Sequence, residues 1–366
     1  MTLRLFISLL CIAYIGNAQN TIPLDTINWD IQAKSYLIEN YKGKNAIYIQ
    51  AGAMTLKNKI FLNGTIEFDI FLKEEQAFPG VYFRGTKDLD SEQWYMRPHL
   101  SGKPDANQAA PTTKGISAWQ LYFGEKYSFP YNYKFDDWTH VKIVVKDDKA
   151  QVFLDGNKEP NLSWNLFHKP KEGIVAFRGG RFNGMHIANV KINPSQTEII
   201  NFSPKTRKAI VNLIPKWNIS TAFDEKQLTD INNLQKTLNS RKWLGTIAVE
   251  EGTAANISRK VKLNRKKGNT VFAKIDIHST KKQTKLFEYG YSDRVVVILN
   301  GKPIYKGTNK WRSRDYRYLG TVGLFDAVYL PLKKGKNTLL MAVSEDFGGW
   351  LITGKFKNDK DITISY

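Results

Sequence analysis

Apolar and polar residues alternate with a period of two along most of this chain, as in Thr65-Ile-Glu-Phe-Asp-Ile-Phe71, His140-Val-Lys-Ile-Val-Val145 and Ala150-Gln-Val-Phe-Leu154. Such alternation puts successive side chains on opposite faces of an extended backbone, so each run predicts a β-strand with one face turned to a core. Asn63-Gly64, Asp155-Gly156 and Asn300-Gly301 lie between runs of this kind, where glycine supplies the positive φ of a tight turn. Many short strands punctuated this way predict an all-β chain built from sandwich or barrel domains. A length of 366 residues is enough for two of them, each with its own core.

The N-terminus breaks the pattern. Arg4, an apolar run from Leu5 to Ile15 and the small residues around Ala18 have the form of a secretory signal peptide over residues 1–18. The run is too short to span a bilayer, and no later stretch of adequate length lacks charge, so no membrane span is expected. The single cysteine, Cys11, falls inside this segment behind Leu10 rather than a small residue, which argues against lipidation. The mature chain then has no thiol for a disulfide and depends on buried apolar surface. A secreted or periplasmic location is expected.

Lys and Arg number 54 against 34 Asp and Glu, a formal charge of +20. Such a field favours anionic partners. The lysines are nevertheless scattered along turns and strand faces, with no long basic helix or aromatic-interleaved basic module, so no nucleic-acid partner is expected. Composition changes near Asn193-Pro-Ser-Gln-Thr197, and a helical spacing of Leu228, Ile231, Leu234 and Leu238 follows Asp224-Glu225 and Thr229-Asp230. The expected organisation is a first sandwich over 19–197, a linker with a short helix over 198–242 and a second sandwich over 243–366.

The series Asn63 to Asp69, Pro79-Gly-Val-Tyr-Phe-Arg-Gly85, Trp138 to Val144, Val152-Phe-Leu-Asp-Gly156 and Phe182 to Ile192 resembles concanavalin A-like jelly rolls of the lectin/glucanase group, laminin-G and 3-keto-disaccharide hydrolase-like members included. Tyr289-Gly-Tyr-Ser-Asp293, Val295 to Pro303, Leu332 to Asn337 and Phe347-Gly-Gly-Trp350 resemble galactose-binding-like β-sandwiches. A fold shared by lectins, adhesive modules and hydrolases does not choose among them.

The densest polar and aromatic stretch runs from Glu92 through Arg97-Pro98-His99 and Asp105 to Trp119-Gln120-Leu-Tyr122. If strand alternation holds, Tyr82 with Arg84, Tyr95 with Arg97, and Gln120 with Tyr122 share one face. Val81, Phe83, Trp94, Met96, Trp119 and Leu121 then share the other. Flat rings beside forked donors and amides suit a sugar, so Tyr82, Arg84, Tyr95, Arg97, His99, Gln120 and Tyr122 are the expected ligand-binding residues, for a poly- or oligosaccharide, anionic ones included. The competing reading makes the arginines and Glu92 a structural ion-pair network. The long loop Leu100–Gly115 is expected to lie over this face.

Catalysis is the alternative. Laminarinase-type members place two carboxylates on one strand, but after Glu67-Phe-Asp69 the next same-face residues are Phe71 and Lys73, so that signature is broken and the pair reads as an exposed strand face. Resemblance to the 3-keto-disaccharide hydrolase-like branch implies Glu92, His99 or Asp105 as catalytic candidates for a hydrolase or lyase acting on a modified sugar. A structural or adhesive protein is a further alternative. No cofactor motif is present, and the alternating Asp88, Asp90 and Glu92 offer oxygen ligands for a structural calcium without an EF-hand series. In the second domain, Trp311, Arg312, Arg314, Asp315 and Tyr316 form a basic, aromatic loop suited to an acidic glycan or to the domain interface.

Overall fold

The computed structural model describes residues 21–180, 183–310 and 315–366. The segment expected to be a signal peptide, with Cys11, lies outside the described residues, as do Phe182, Trp311, Arg312, Arg314 and the Ile231 side chain. The chain is nearly all β and forms two large curled sheets, each closing over its own core in a sandwich-like domain. Among the described residues no helix is long and apolar enough to cross a membrane.

The first sheet has β1 Trp29–Tyr41, β2 Lys44–Leu56, β3 Gly64–Leu72, β4 Gly80–Gly85, β5 Ser91–Met96, β6 Asn107–Thr113, β7 Ile116–Ser117, β8 Asp137–Lys146, β9 Lys149–Leu154, β10 Leu162–Asn165, β11 Ile174–Arg178 and β12 Met185–Asn193. Their order is β10-β9-β8-β3-β12-β2-β11-β4-β5-β6-β7, with β1 added to β2. The curl folds β3 and β8 back over β4, β5 and β11. Ile66, Phe68 and Ile70 thus share a core with Val81, Phe83, Trp94 and Phe177, and Phe68 meets Phe177 edge to face at 4.9 Å. Each such side chain contributes on the order of 1.5–3 kcal/mol by leaving water. The segment expected as a long loop is instead half strand: β6 pairs with β5 throughout and carries Pro111, tolerated because its other neighbour is only the two-residue β7.

The second sheet has β13 Lys216–Ser220, β14 Trp243–Glu250, β15 Ala254–Asn256, β16 Thr270–Ser279, β17 Gln283–Tyr291, β18 Arg294–Leu299, β19 Lys302–Thr308, β20 Asp326–Leu332, β21 Gly335–Ser344, β22 Leu351–Phe356 and β23 Ile362–Ser365. Asn300 and Gly301, at φ 50° and 79°, make the two-residue hairpin between β18 and β19. β13, inside the segment read as a linker, is an interior strand between β14 and β16. The helix α1, Ile231–Ser240, is capped by Asp230, which accepts from the Asn232 and Asn233 amides. Leu234 and Leu238 pack with Phe272 and Ile298, while Leu228 belongs to the short 3-10 turn before it.

The two domains press together. A Cβ on Gly349 would lie 2.8 Å from the Ala118 Cα, and one on Gly320 would lie 2.4 Å from the Trp119 ring. Arg207 donates to the Leu121 and Phe123 carbonyls, and Lys114 Nζ to that of Lys260.

Candidate functional site

The outer face of β4, β5 and β11 carries side chains in register. One row across the sheet reads Gln108, Tyr95, Gly80, Arg178, and the next Ala110, Gln93, Tyr82, Ala176. Val81, Phe83, Trp94 and Phe177 alternate with these into the core, as a period of two requires. Above the rows lies a cavity of about 740 Å³, lined by Phe78, Tyr82, Gln93, Tyr95, Trp119, Gln120 and Arg178, and by Arg265, Leu319, Phe347 and Gly348 of the second domain. It is the size of a small-ligand site.

Buried polar groups hold the floor and wall in place. Arg97, 1% exposed, pairs with Asp105 and donates to the Tyr95 hydroxyl at 2.7 Å and to the Gln108 side chain. Tyr95 donates to the same Gln108 oxygen, and burial pushes its phenol up to about 12, so it stays protonated. The Gln108 amide nitrogen then donates to the carbonyls of Trp119 and Tyr122, fixing the turn that carries Trp119 over the cavity. The other Asp105 oxygen accepts from Leu319 N, which ties the network to the second domain.

The second domain supplies the opposite wall through residues 346–349. Asp293 accepts from the amides of Asp346 and Phe347, and Arg294 and Lys310 both hold Asp346. Gln120 Oε1 accepts from Gly349 N at 3.0 Å. Gly348 has φ 112°, a backbone conformation that side-chain-bearing residues rarely adopt, and a Cβ there would sit 2.7 Å from that oxygen and displace the Gln120 amide. Phe347 and Trp119 face each other with centroids 6.4 Å apart.

Of the expected ligand-binding residues, Tyr82, Tyr95 and Gln120 line the cavity. Arg84 does not. β4 has an extra residue against β11 here and Arg84 has φ 53°, a bulge that turns its guanidinium to the Leu62 carbonyl and Asn63 Oδ1. Arg97 lies beneath the floor. Residues 119–122 form a turn rather than a strand, which corrects their expected alternation: Trp119 joins Gln120 in the cavity, while Tyr122 is buried against Phe167 and donates to Glu250.

The three catalytic candidates go to three different partners. Glu92, 1% exposed, accepts from the Phe167 and His168 amides and meets the His168 ring, lining with Arg84 a second hollow of about 350 Å³. Asp105 is the counter-ion of Arg97. His99 packs edge-on against Phe78 at 5.1 Å, outside the cavity, and both its ring nitrogens are buried without a hydrogen bond. Burial, helped by Arg97, pulls its pKa down, so the ring is neutral. Asp88, Asp90 and Glu92 do not converge on a calcium site: Asp90 accepts from Lys114 N, and among the described residues no three His, Cys, Asp or Glu are grouped to hold a metal. Asp69, expected on an exposed face, is only 6% exposed.

Gln93, Arg178 and Phe347 were missed from the sequence. A signal for Arg178 exists: Phe177-Arg178-Gly179 repeats the Phe83-Arg84-Gly85 triplet, and the two strands are neighbours. No period links Phe347 to the first domain.

No family model matches the chain, and no curated protein matches it. Among solved structures, the carbohydrate-binding module CBM66 from Bacillus subtilis is similar at 14% identity and a TM-score of 0.35, covering 44% of this chain and 93% of that one. The galectin LEC-6 from Caenorhabditis elegans is similar at 12% and 0.29, over 45% and 99%. The exoplasmic/lumenal domain of VIP36, solved with Ca²⁺ and Man3GlcNAc, is similar at 10% and 0.35, over 49% and 89%.

Proposed function

We propose that this chain is an exported, secreted or periplasmic, saccharide-binding protein that holds a poly- or oligosaccharide in the cavity between its two domains. The supporting observation is the make-up of that cavity: Trp119, Tyr82, Phe78 and Phe347 present rings from opposite walls, beside the Gln93 and Gln120 amides and the Arg178 guanidinium. Rings cover the apolar faces of a pyranose, and amides and a guanidinium answer its hydroxyls. Asp90 is the one carboxylate among the described lining residues, and its Oδ1 already accepts from Lys114 N. A glycosidase of the two-carboxylate type needs a second acid across the scissile bond, so binding fits this lining better than hydrolysis of that type.

The test is isothermal titration of the mature chain against neutral and acidic oligosaccharides, with product analysis of the same mixtures. Saturable binding that Trp119→Ala weakens roughly thirtyfold is the expected result. Binding that survives Trp119→Ala unchanged, or turnover of any of the sugars, overturns the reading.

A further inference from the structure

We infer that the saccharide carries an acidic substituent, a carboxylate or a sulfate, and that Arg178 receives it; this rests on the cavity being the saccharide site. Arg178 ends β11 half-buried on the cavity floor. Among the described residues its polar contact is a long one, Nη1 to the Tyr82 hydroxyl at 3.3 Å, and none of the ion pairs there includes it. The other guanidiniums set into the fold are committed: Arg97 to Asp105, Arg259 to Glu250, Arg294 to Glu225 and Asp346, Arg84 and Arg207 to carbonyl oxygens. A cation drawn partly out of water without an anion is unfavourable, and an incoming oxyanion removes that penalty.

The space for the group is the cavity itself, which Arg178 lines together with Tyr82 and Tyr95. Gly80, between Tyr95 and Arg178 in the row, sends no side chain between them, and Tyr95 packs close over it, so that a Cβ there would come within 2.4 Å of the Tyr95 Cβ. Arg265, on the wall from the second domain, adds a second positive charge, with its Nε donating to the Asp346 carbonyl. The planar fork of an arginine matches two coplanar oxygens of a carboxylate or sulfate, whereas a neutral hydroxyl uses half of it.

Calorimetric titration of the full mature chain uses three probes of equal length: a uronic-acid oligosaccharide, its carboxyl-reduced neutral counterpart, and a sulfated oligosaccharide. Wild type, Arg178→Gln, Arg178→Lys and Trp119→Ala are compared, with melting curves to show that each is folded. Wild type is expected to prefer an acidic probe to the neutral one by tenfold or more, and the acidic probe it prefers separates carboxylate from sulfate. Arg178→Gln should lower that ratio at least tenfold, and Arg178→Lys should restore part of it, since a point charge lacks the fork. No preference of wild type for an acidic probe, or a ratio unmoved by Arg178→Gln, with binding still weakened in Trp119→Ala, overturns the inference that Arg178 receives an acidic group and leaves the saccharide cavity standing. Failure of wild type to bind any probe overturns both.

Discussion

The two outer faces of the first sheet carry much the same residue types, yet one is closed and the other open. On β2, β3, β8 and β12, Asp69 accepts from His140 Nδ1 at 2.7 Å, Lys44 Nζ at 2.8 Å and Asn189 Nδ2 at 2.6 Å. Tyr41 stacks on His186 at 3.5 Å, Phe71 meets Tyr41 and Trp138 edge-on, and Lys44 lies over the Trp138 ring. Every one of these groups has its partner in the chain. On β4, β5 and β11 the second domain stands off the sheet: Gln93 donates to Ser117 and Gln120 accepts from Gly349 N, but both also line the cavity, and Arg178 meets only the Tyr82 hydroxyl, at 3.3 Å, with no ion pair among the described residues. The difference lies in how fully the chain supplies partners: where charge is matched by charge, a polar face is scaffold, and where a guanidinium beside a cavity has no anion, the face is available to a ligand.

The largest effect should come from the scaffold under the open face. Arg97→Ala leaves Asp105 buried without its cation, which costs about 3–5 kcal/mol, and denaturant unfolding of the purified variant measures it. Normal stability with lost saccharide binding would move Arg97 from floor to ligand contact and break the comparison. Next comes Trp119→Ala, which removes a ring from the cavity wall and should weaken saccharide binding by about 2 kcal/mol, roughly thirtyfold. Calorimetry on the folded variant reads it.

The sequence makes some of this visible and conceals the rest for physical reasons. Alternation in Val81-Tyr-Phe and Trp94-Tyr-Met assigned the core and cavity faces correctly, because regular pleating carries the information locally. It failed at Arg84, where one bulged residue reverses the face, and at Trp119 to Tyr122, where the backbone turns. Glu92, Arg97 and Asp105 looked like site chemistry because charged side chains in a dense polar stretch do suit a site. Their burial depends on the Phe167–His168 amides and on Leu319 N, contacts 75 to 214 residues away that no local pattern records. The composite wall from Phe347 and Gly348 is non-local in the same way.

The closed face is sharpened by pH. Burial alone would raise the Asp69 pKa, but the hydrogen bonds from His140, Lys44 and Asn189 outweigh it and bring it to about 2, while the bond to Asp69 raises that of His140 above 6.5. A carboxylate lowered on folding stabilises above its unfolded pKa near 4, and that contribution is lost as pH falls through about 2. A histidine raised on folding stabilises below 6.5, and that contribution is lost as pH rises through its folded value. Both hold between about pH 4 and 6.5. Asp69→Asn should therefore cost the most there, about 1–2 kcal/mol, and less at pH 9, where Lys44 and Asn189 are the remaining partners. His140→Gln should flatten the alkaline limb. Thermal melts across pH that show an equal penalty at pH 5.5 and pH 9 would mean that the ion pair is not formed.

The smallest effect concerns His99, the candidate that the comparison judges most directly, since its ring has neither a chain partner nor a place in the cavity lining. Two buried nitrogens without hydrogen bonds are a desolvation cost with no return, and the Phe78 contact needs only an aromatic edge. His99→Phe keeps that contact and removes both nitrogens, so it should stabilise the protein by about 1 kcal/mol, a rise in Tm of about 2–4 °C. The larger ring takes back part of this if the site is tightly filled, and His99→Leu, which is smaller across, separates the two contributions. Because Phe78 lines the cavity and His99 does not, neither variant should change saccharide affinity by more than about twofold, under 0.5 kcal/mol. A tenfold loss of binding with unchanged Tm would instead put the imidazole in contact with the ligand, and an unpartnered buried nitrogen would then mark a binding group rather than a cost of the fold.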